Sequence, residues 1–211
     1  MRLRNKPWAK EKLEQYPQVV IQRPEGLKGS WAASFFPDAP VHVEIGTGKG
    51  QFLCGMAQKH PDVLFVGIER MQSVIVSALD KTLETDAGNI KLVNRNAADL
   101  ESFFDESEVE RIYLNFSDPW PKNRHEKRRL TYRTFLEKFE RVLTAKGEIH
   151  LKTDNAGFFE YSLQSMEQYG MNLLSVDWDV HENDVGDNVM TEYEEKFSRR
   201  GQKIMRGIAR F

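Results

Sequence analysis

From residue 41 onward, the chain alternates between short apolar runs and longer segments whose apolar residues recur at helical spacing. Each run is rich in Val, Ile, Leu and Phe and is bounded by turn-forming or polar residues, as are strands buried on both faces of a parallel sheet. The runs cover residues 41–46, 63–69, 90–95, 111–116 and 147–153, and the segments with helical spacing cover 50–60, 71–85, 130–143 and 156–168. This alternation predicts an α/β domain whose open, mostly parallel sheet carries helices on both faces.

The end of the chain departs from this alternation. Two further apolar runs, 173–180 and 203–211, follow one another without a full crossover helix between them. Because only parallel neighbours need such a crossover, we predict a seven-stranded sheet whose last strand is antiparallel, within one domain over residues 41–211. Residues 1–40 contain five prolines and a basic start, so we expect a basic N-terminal extension that is partly disordered or ordered by a partner.

Composition limits the classes of protein to which the chain can belong. Its 211 residues include a single cysteine, Cys54, which excludes an internal disulfide and a cysteine-based metal cage. The five histidines are scattered, and no apolar run reaches the roughly 18 residues that a membrane-spanning helix needs. We therefore predict a reduced, metal-free protein of the cytoplasm that does not enter a membrane.

Charged side chains are unevenly distributed, although the formal net charge is only -2. Basic residues cluster within 1–12, 122–133 and 196–206, whereas the stretch 177–187 contains neither Lys nor Arg. One basic cluster alone is most often a solvated face, but three clusters in one small chain produce local positive fields that favour a polyanion. The charge pattern therefore predicts a nucleic-acid partner.

A glycine-rich loop follows the first predicted strand, directly after Glu44. Gly46, Gly48 and Gly50 let the backbone turn sharply and approach a ligand closely. Their GxGxG spacing differs from the GxGxxG spacing of dinucleotide-binding folds. A carboxylate at Glu44 would repel a pyrophosphate but attract a cationic amino acid, and S-adenosylmethionine carries an ammonium and a sulfonium group. The loop therefore favours this methyl donor, with S-adenosylhomocysteine as its product, over a nicotinamide dinucleotide.

Polar residues also follow the next two predicted strands. Glu69 ends the second strand, where a carboxylate can accept hydrogen bonds from both ribose hydroxyls of the donor. Asn96 follows the third strand and can present its amide to the adenine edge. The alternatives are a solvated strand end for Glu69 and a turn residue for Asn96. We predict that Asp99 caps the helix that begins in the sequence NAADL.

The fourth predicted strand runs into the sequence Asp118-Pro-Trp-Pro-Lys122. Its two prolines fix their own φ angles and favour extended conformations for Asp118 and Trp120, the residues that precede them. This indicates a stiff ledge at the carboxyl end of a strand, with both side chains beside the methyl donor. The alternative is a surface loop that contains two prolines.

Together these motifs resemble the bacterial tRNA (guanine-N7)-methyltransferase family. The resemblance rests on Glu44-Ile-Gly-x-Gly-x-Gly50, on the string DPWPKNRHEKRR over 118–129, and on Thr191-Glu-Tyr-Glu194, which occur in this order. It implies a Rossmann-like, S-adenosylmethionine-dependent methyltransferase that modifies the variable-loop guanine of tRNA. The implied partner is therefore tRNA, whereas the sequence leaves both a monomer and a homodimer open.

The resemblance also implies a role for each matching residue. Residues implied to bind the donor are Glu44, Glu69, Asn96 and Asp118. Residues implied to contact the substrate are Lys122, Asp154, Thr191, Glu192, Tyr193 and Glu194. Residues implied to meet RNA are Asn123, Arg124, His125, Glu126, Lys127, Arg128 and Arg129.

The chemistry of the target atom agrees with the lack of an obvious His–Asp pair. Guanine N7 carries a free lone pair, so no proton has to leave before it attacks the methyl carbon. Catalysis should then come from alignment and electrostatics rather than from a general base. We expect Asp118 to act as the catalytic residue by accepting hydrogen bonds from the guanine N1–H and amino group, and Trp120 to stack on the extruded base.

Two other functions share parts of this pattern. A methyltransferase of another RNA, of a protein or of a small molecule would use the same donor loop, but it leaves the basic string after Asp118 unexplained. A non-catalytic RNA-binding protein would keep the basic string without binding the donor.

Overall fold

The computed structural model describes residues 6–183 and 188–211. The described strands are β1 (Val41–Ile45), β2 (Leu64–Ile68), β3 (Ile90–Val93), β4 (Val109–Asn115), β5 (Leu143–Thr153), β6 (Asn172–Asp177) and β7 (Met205–Arg210). They form one sheet in the order β3-β2-β1-β4-β5-β7-β6. Strands β1 to β5 run parallel, and β7 lies antiparallel between β5 and β6. The predicted seven-stranded, mostly parallel sheet with an antiparallel last strand is therefore confirmed.

Helices cover both faces of this sheet. The α-helices are α1 (Ala9–Glu14), α2 (Trp31–Phe35), α3 (Gln51–Lys59), α4 (Gln72–Thr85), α5 (Arg133–Val142), α6 (Ala156–Tyr169) and α7 (Glu192–Ser198), and the 3-10 helices are Pro24–Leu27, Ala97–Ser102 and Asn123–Arg128. Successive strand residues point to opposite faces. Val66 of β2 therefore packs in the same core as Phe139 of α5, while its neighbour Phe65 packs with Leu53 of α3 and Leu79 of α4.

Membrane-spanning helices and metal-binding groups of side chains were both unexpected from the sequence. No helix within 6–183 and 188–211 is long and apolar enough to cross a membrane. In the same two ranges, no group of three or more His, Cys, Asp or Glu side chains is arranged to hold a metal ion.

Local sequence signals set the ends of α6, which borders the predicted site. Asn155 caps this helix, because its side-chain oxygen accepts a hydrogen bond from the Phe158 backbone N–H at 2.8 Å. Gly170 ends it in the left-handed conformation, with φ at +108°. Since Asn155 supplies the cap, the neighbouring Asp154 is not needed for it.

The segment 6–40 packs into the same folded unit, which differs from the extension that the sequence predicts. Helix α1 packs against α4, and Val20 forms a parallel bridge with Leu92 of β3. Trp31 is fully buried, its ring packs against those of Phe35 and Phe104, and its indole N–H donates to Phe103 O at 2.7 Å. These contacts make the segment part of the core.

The prolines of this segment lie in a packed stretch of chain. Pro24 is buried and begins a 3-10 helix, so it forms a turn between the packed residues Val20 and Trp31. The first five residues, with Arg2 and Arg4, lie outside the described residues.

A buried polar layer lies on the α3 face of β1, β4 and β5. His42 Nδ1 lies 3.3 Å from the Tyr113 hydroxyl, and the His150 ring packs edge-on against the same phenol. Burial, reinforced by the nearby Arg111 guanidinium, lowers the pKa of His42 to about 3. Burial likewise lowers the pKa of His150 to about 4. Both imidazoles are therefore neutral in the folded protein at neutral pH.

We expect this layer to make the folded state sensitive to acid. As the pH falls below about 6.5, His42 takes up a proton in the unfolded chain, whereas it stays neutral in the folded chain because its pKa is lowered there. The free energy of unfolding therefore decreases. For His42 alone the loss should be about 2 kcal/mol between pH 7 and pH 5. Urea denaturation at both pH values measures the difference in the free energy of unfolding. His42→Gln should make this difference smaller by the contribution of His42, about 2 kcal/mol. A pH difference in His42→Gln as large as that of the wild type would contradict the prediction.

Candidate active site

The glycine-rich loop connects β1 to α3 at the carboxyl edge of the sheet. Gly46, Gly48 and Gly50 have φ angles of +80°, +59° and +87°, a region that residues with a Cβ rarely adopt. At Gly50 an added Cβ would lie 3.0 Å from the Cβ of Ala78, so this glycine also lets the loop pack closely on α4. At Gly46 an added Cβ would meet no described atom within 4 Å, so the loop is open to a ligand on that side.

A cavity of about 600 Å³ opens beside this loop, at the carboxyl ends of β1 to β4. A volume of this order is typical of small-molecule sites. Four residues that the sequence predicts for the donor lie in its wall: Gly46, Glu69, Asn96 and Asp118. Trp120, Lys127 and Arg128 line the same cavity. The structure thus brings the predicted donor site and the predicted RNA segment together.

Glu44 lies under the loop, where it is buried, instead of in the cavity wall. Its carboxylate accepts hydrogen bonds from the Thr47 hydroxyl at 2.6 Å and from the Asn115 amide at 2.8 Å. Burial raises the pKa of Glu44 to about 7, although these two hydrogen bonds oppose the increase. Because Asn115 lines the cavity, Glu44 is connected to it through that amide and through the loop.

Glu69 extends from the end of β2 into the cavity wall. One of its carboxylate oxygens accepts a hydrogen bond from the Met71 backbone N–H at 2.9 Å. Burial raises the pKa of Glu69, whereas the backbone N–H groups of Met71 and Gly48 act in the opposite direction. The backbone N–H groups of Gly46 and Thr47 donate to Ile68 O at 2.8 and 3.1 Å, which joins the end of β2 to the glycine-rich loop, so one ligand can touch both.

The cap of the 3-10 helix after β3 is Asn96, so the prediction that Asp99 caps it is wrong. Asn96 has the extended backbone of an N-cap, and its side-chain oxygen accepts a hydrogen bond from the Ala98 N–H at 3.0 Å. Asp99 lies inside the first turn, because the helix begins earlier than the apolar pattern indicates. With its oxygen used by the cap, Asn96 still has its amide N–H groups to offer to a ligand.

The ledge after β4 bends more sharply than the sequence predicts. Phe116 and Trp120 have φ angles of +52° and +42°, so the extended conformation predicted for Trp120 is wrong. Arg129 holds the bend, because its guanidinium donates to the carbonyl oxygens of Pro119 and Trp120, each at 3.1 Å. Backbone strain of this kind is retained where the surroundings enforce it and often accompanies function. Asp118 is exposed on this ledge and faces the cavity.

The predicted RNA segment forms the 3-10 helix Asn123–Arg128 at the mouth of the cavity. The Arg128 guanidinium lies 4.9 Å from the centre of the Trp120 ring, and His125 packs edge-on against that ring at 5.5 Å. Arg129 instead packs against the protein, because its guanidinium lies 4.0 Å from the centre of the Tyr161 ring. Exposed side chains of this stretch are Lys122, Asn123, Arg124, Lys127 and Arg128, while Glu126 is partly buried.

The predicted substrate residues meet beside the cavity at Phe116. The Tyr193 ring lies 4.9 Å from the Phe116 ring, and the Tyr193 hydroxyl donates to Asp154 Oδ2 at 2.9 Å. Partial burial and the Asp154 carboxylate raise the pKa of Tyr193 to about 12, which keeps the phenol protonated. Asp154 and Tyr193, which are distant in sequence, thus belong to one cluster.

The other members of the segment 191–194 have protein partners. Thr191 caps α7, since its hydroxyl accepts the Glu194 backbone N–H at 3.0 Å. Glu192 forms an ion pair with Lys81 at 3.3 Å. Glu194 is fully buried and forms an ion pair with Lys152 at 2.7 Å. Three of the four residues therefore hold the segment in place, and Tyr193 is the one with an exposed ring.

The basic cluster 196–206 is partly neutralised by the acidic stretch before it. The Arg206 guanidinium donates to Asp177 at 2.9 Å, and Lys203 lies 3.6 Å from Glu182. This cluster therefore produces a weaker positive field than the sequence alone indicates.

Sequence reasoning missed three residues at the site. Asn115 binds Glu44 in the cavity wall, and Lys152 binds Glu194. Ser117 lines the cavity, and its buried hydroxyl has no hydrogen-bond partner among the residues that the structure describes. For Asn115 and Lys152 a signal was available, because each is a polar residue close to the carboxyl end of a predicted strand, where the site was predicted.

Solved structures resemble this fold along most of its length. A 16S rRNA methyltransferase, KamB, aligns with a TM-score of 0.63 at 14% identity and covers 87% of this chain and 93% of that one. A SAM-dependent methyltransferase from Aquifex aeolicus aligns with a TM-score of 0.57 at 14% identity and covers 98% of both chains. At this identity the likeness concerns the fold, and it confirms the predicted Rossmann-like methyltransferase architecture.

Sequence relatives are much closer. A family model described as "Putative methyltransferase" matches residues 38–207. A curated tRNA (guanine-N(7)-)-methyltransferase of Geobacillus thermodenitrificans is 61% identical over 206 residues, which is 98% of this chain and 95% of the relative. Another protein of that name, from Halalkalibacterium halodurans, is 53% identical over 211 residues, 100% of this chain and 96% of the relative. Because such identity extends along almost the whole length of both partners, the chain belongs to the bacterial tRNA (guanine-N7)-methyltransferase family.

Proposed function

We propose that this protein transfers a methyl group from S-adenosylmethionine to N7 of the variable-loop guanine of tRNA. The observation that carries the proposal is one shared cavity: carboxylates that can accept hydrogen bonds from the donor ribose and from guanine line it together with cations suited to a polyanion. The carboxylates are Glu69 and Asp118, and the cations are Lys127 and Arg128. The names of the relatives support tRNA as the substrate and N7 as the atom. Because tRNA is the substrate, we expect the protein to act in the cytoplasm.

The polar groups around the cavity fit this donor. Glu69 would accept hydrogen bonds from the ribose hydroxyls, and the Asn96 amide would meet the adenine edge. The open side of Gly46 leaves room for the amino-acid part of the donor. Ser117 supplies a hydroxyl that lacks a partner among the described residues. When bound, the donor supplies an electrophilic methyl group on a sulfonium.

The transfer needs no proton to be removed. Guanine N7 forms a bond to the methyl carbon with its lone pair, the carbon–sulfur bond breaks, and the electron pair of that bond stays on the thioether. Asp118 accepts hydrogen bonds from the guanine N1–H and amino group, so it orients the base and stabilises the positive charge that the purine gains. Trp120, in the same cavity wall, stacks on the base, a contact worth roughly 1–3 kcal/mol.

The exposed cations at the mouth of the cavity should bind tRNA phosphates. Replacing Arg124, Lys127 and Arg128 together with Gln should weaken tRNA binding and make it less sensitive to salt. Each phosphate contact contributes about 0.7 to 0.9 to the slope of log K against log salt concentration, so this slope should become shallower by about two. Fluorescence anisotropy across a salt series measures it. As a control, Lys146→Gln, near the start of β5 at the opposite edge of the sheet, should keep the wild-type slope; an unchanged slope in the triple variant would contradict the assignment.

Labelled methyl transfer tests the function directly. The protein is incubated with methyl-labelled donor and unmodified tRNA, and the digested nucleosides are analysed by mass. We expect 7-methylguanosine, and none with a control tRNA whose variable-loop guanine is replaced by adenine. Label in another nucleoside would indicate a methyltransferase of different specificity. Absence of both label and heat in a calorimetric titration with the donor would indicate a non-catalytic RNA-binding protein.

A further inference from the structure

Lys152, at the carboxyl end of β5, is a buried lysine that the reaction described above does not use. It is 5% exposed, and its ammonium lies 5.1 Å from the centre of the Phe52 ring at the start of α3. An ammonium group has three N–H donors. All three are used: they bind Asn188 Oδ1 at 2.9 Å, the Val189 carbonyl at 2.8 Å and Glu194 Oε2 at 2.7 Å.

All three acceptors belong to one short stretch of chain, 188–194. Asn188 completes the arrangement, because its amide also donates to Glu194 Oε1 at 2.6 Å. A fully buried carboxylate is stable only when it is paired and hydrogen-bonded. Lys152 therefore balances the negative charge of Glu194, and its three hydrogen bonds fix the position of this stretch.

The stretch that Lys152 holds lies between the donor side and the substrate side of the site. On the donor side it packs on α3, where Val189 lies so close to Gly55 that an added Cβ would be 2.7 Å from Val189 Cγ1. On the substrate side it leads into Tyr193, which contacts Phe116 of the cavity wall and Asp154. A displacement of this stretch would therefore move the Tyr193 cluster relative to the cavity.

We propose that Lys152 is a positioning residue for methyl transfer: by binding Asn188, Val189 and Glu194 together, it holds the Tyr193–Asp154 cluster at the distance from the donor that the reaction requires. The inference rests on the proposed function, since it takes this cluster as the part of the site that holds the guanosine. Lys152 touches neither reactant. Its effect should appear in the rate of the bound complex, because a misplacement of about 1 Å can cost about 100-fold in rate.

Lys152→Met tests the proposal, because Met keeps most of the side-chain volume and removes all three donors. We expect kcat for tRNA methylation, at saturating donor and tRNA, to fall about 10- to 100-fold. The dissociation constant of S-adenosylmethionine and the KM for tRNA should change by less than about threefold, since the donor contacts and the phosphate contacts lie elsewhere. The rate is expressed per donor-binding site, counted by calorimetric titration, so that loss of folded protein does not imitate a loss of kcat.

Lys91→Met is the matched control. Lys91 is also buried, also lies near a phenylalanine ring, and donates to the Gln18 carbonyl at 2.8 Å, away from the site. We expect its kcat per donor site to stay within about twofold of the wild type. The proposal is overturned if Lys152→Met also stays within twofold, or if its affinity for the donor falls as much as its kcat.

A milder variant covers the case in which Lys152→Met does not fold. Asn188→Ala removes one acceptor of Lys152 and one donor to Glu194, and it should lower kcat several-fold with intact donor binding; an unchanged kcat would overturn the proposal. Failure of the wild-type protein to methylate tRNA would reject the proposed function. A fully active Lys152→Met beside an active wild type would reject only the positioning role.

Discussion

Asp118→Asn should lower kcat for tRNA methylation about 100-fold or more at saturating donor and tRNA. The substitution keeps the size of the side chain but removes the negative charge that would stabilise the purine as it becomes positive. It also replaces one acceptor with an amide donor that opposes the guanine N1–H. Loss of one such electrostatic contact typically costs about 100- to 1000-fold in rate. Single-turnover methyl transfer measures the effect without contributions from product release.

A second carboxylate provides the control for Asp118. Asp99 is exposed in the 3-10 helix that follows β3, close in the fold to the cavity but outside its wall. Asp99→Asn changes the net charge by the same amount, so it should keep kcat within about twofold of the wild type. If Asp118→Asn retains near-normal turnover, the electrostatic role of Asp118 is wrong. If both variants lose activity equally, the overall charge of this surface is responsible.

Trp31→Ala should lower the free energy of unfolding by about 3–5 kcal/mol. Trp31 is fully buried, packs against Phe35 and Phe104, and its indole N–H donates to the Phe103 carbonyl. The substitution removes this contact surface and leaves a buried carbonyl oxygen without its partner. For a chain of this length, we expect Tm to fall by roughly 10 °C in a calorimetric scan.

Trp8→Ala is the matched control in the same N-terminal segment. Trp8 is 49% exposed, so its removal should change the free energy of unfolding by no more than about 0.5 kcal/mol. A Trp31→Ala protein as stable as this control would mean that the packing of the segment contributes little to the stability of the domain. A large difference between the two variants would place Trp31 in the core of the domain.

Local patterns were sufficient for the sheet and for much of the cavity wall. Alternation of apolar runs and helical segments predicts the strands and their parallel direction, because the periods of strands and helices differ and each crossover needs a helix. The glycine-rich loop, Glu69 and Asp118 follow directly on strands, and the carboxyl ends of parallel strands meet at one edge. Their meeting in one cavity could therefore be predicted without coordinates.

Other features depend on contacts between residues that are distant in the chain. Lys152 and Glu194 are 42 residues apart, and the spacing of neither indicates the other. The burial of Glu44 depends on Thr47 and on Asn115, which reaches it from a neighbouring strand. Whether a polar side chain faces a ligand or the protein interior is decided by such partners, and local sequence does not specify them.

The N-terminal segment shows the same division. Its prolines and basic residues by themselves determined where the chain must turn and where it is positively charged. Only the tertiary structure decided that Trp31 and Val20 pack into the core, because the free energy of burying an apolar side chain depends on the surface that it meets. The sequence by itself determined the strands and helices of this protein and the edge of the sheet at which its active site lies. Long-range packing decided which side chains face the cavity and which ones keep the cavity wall in place.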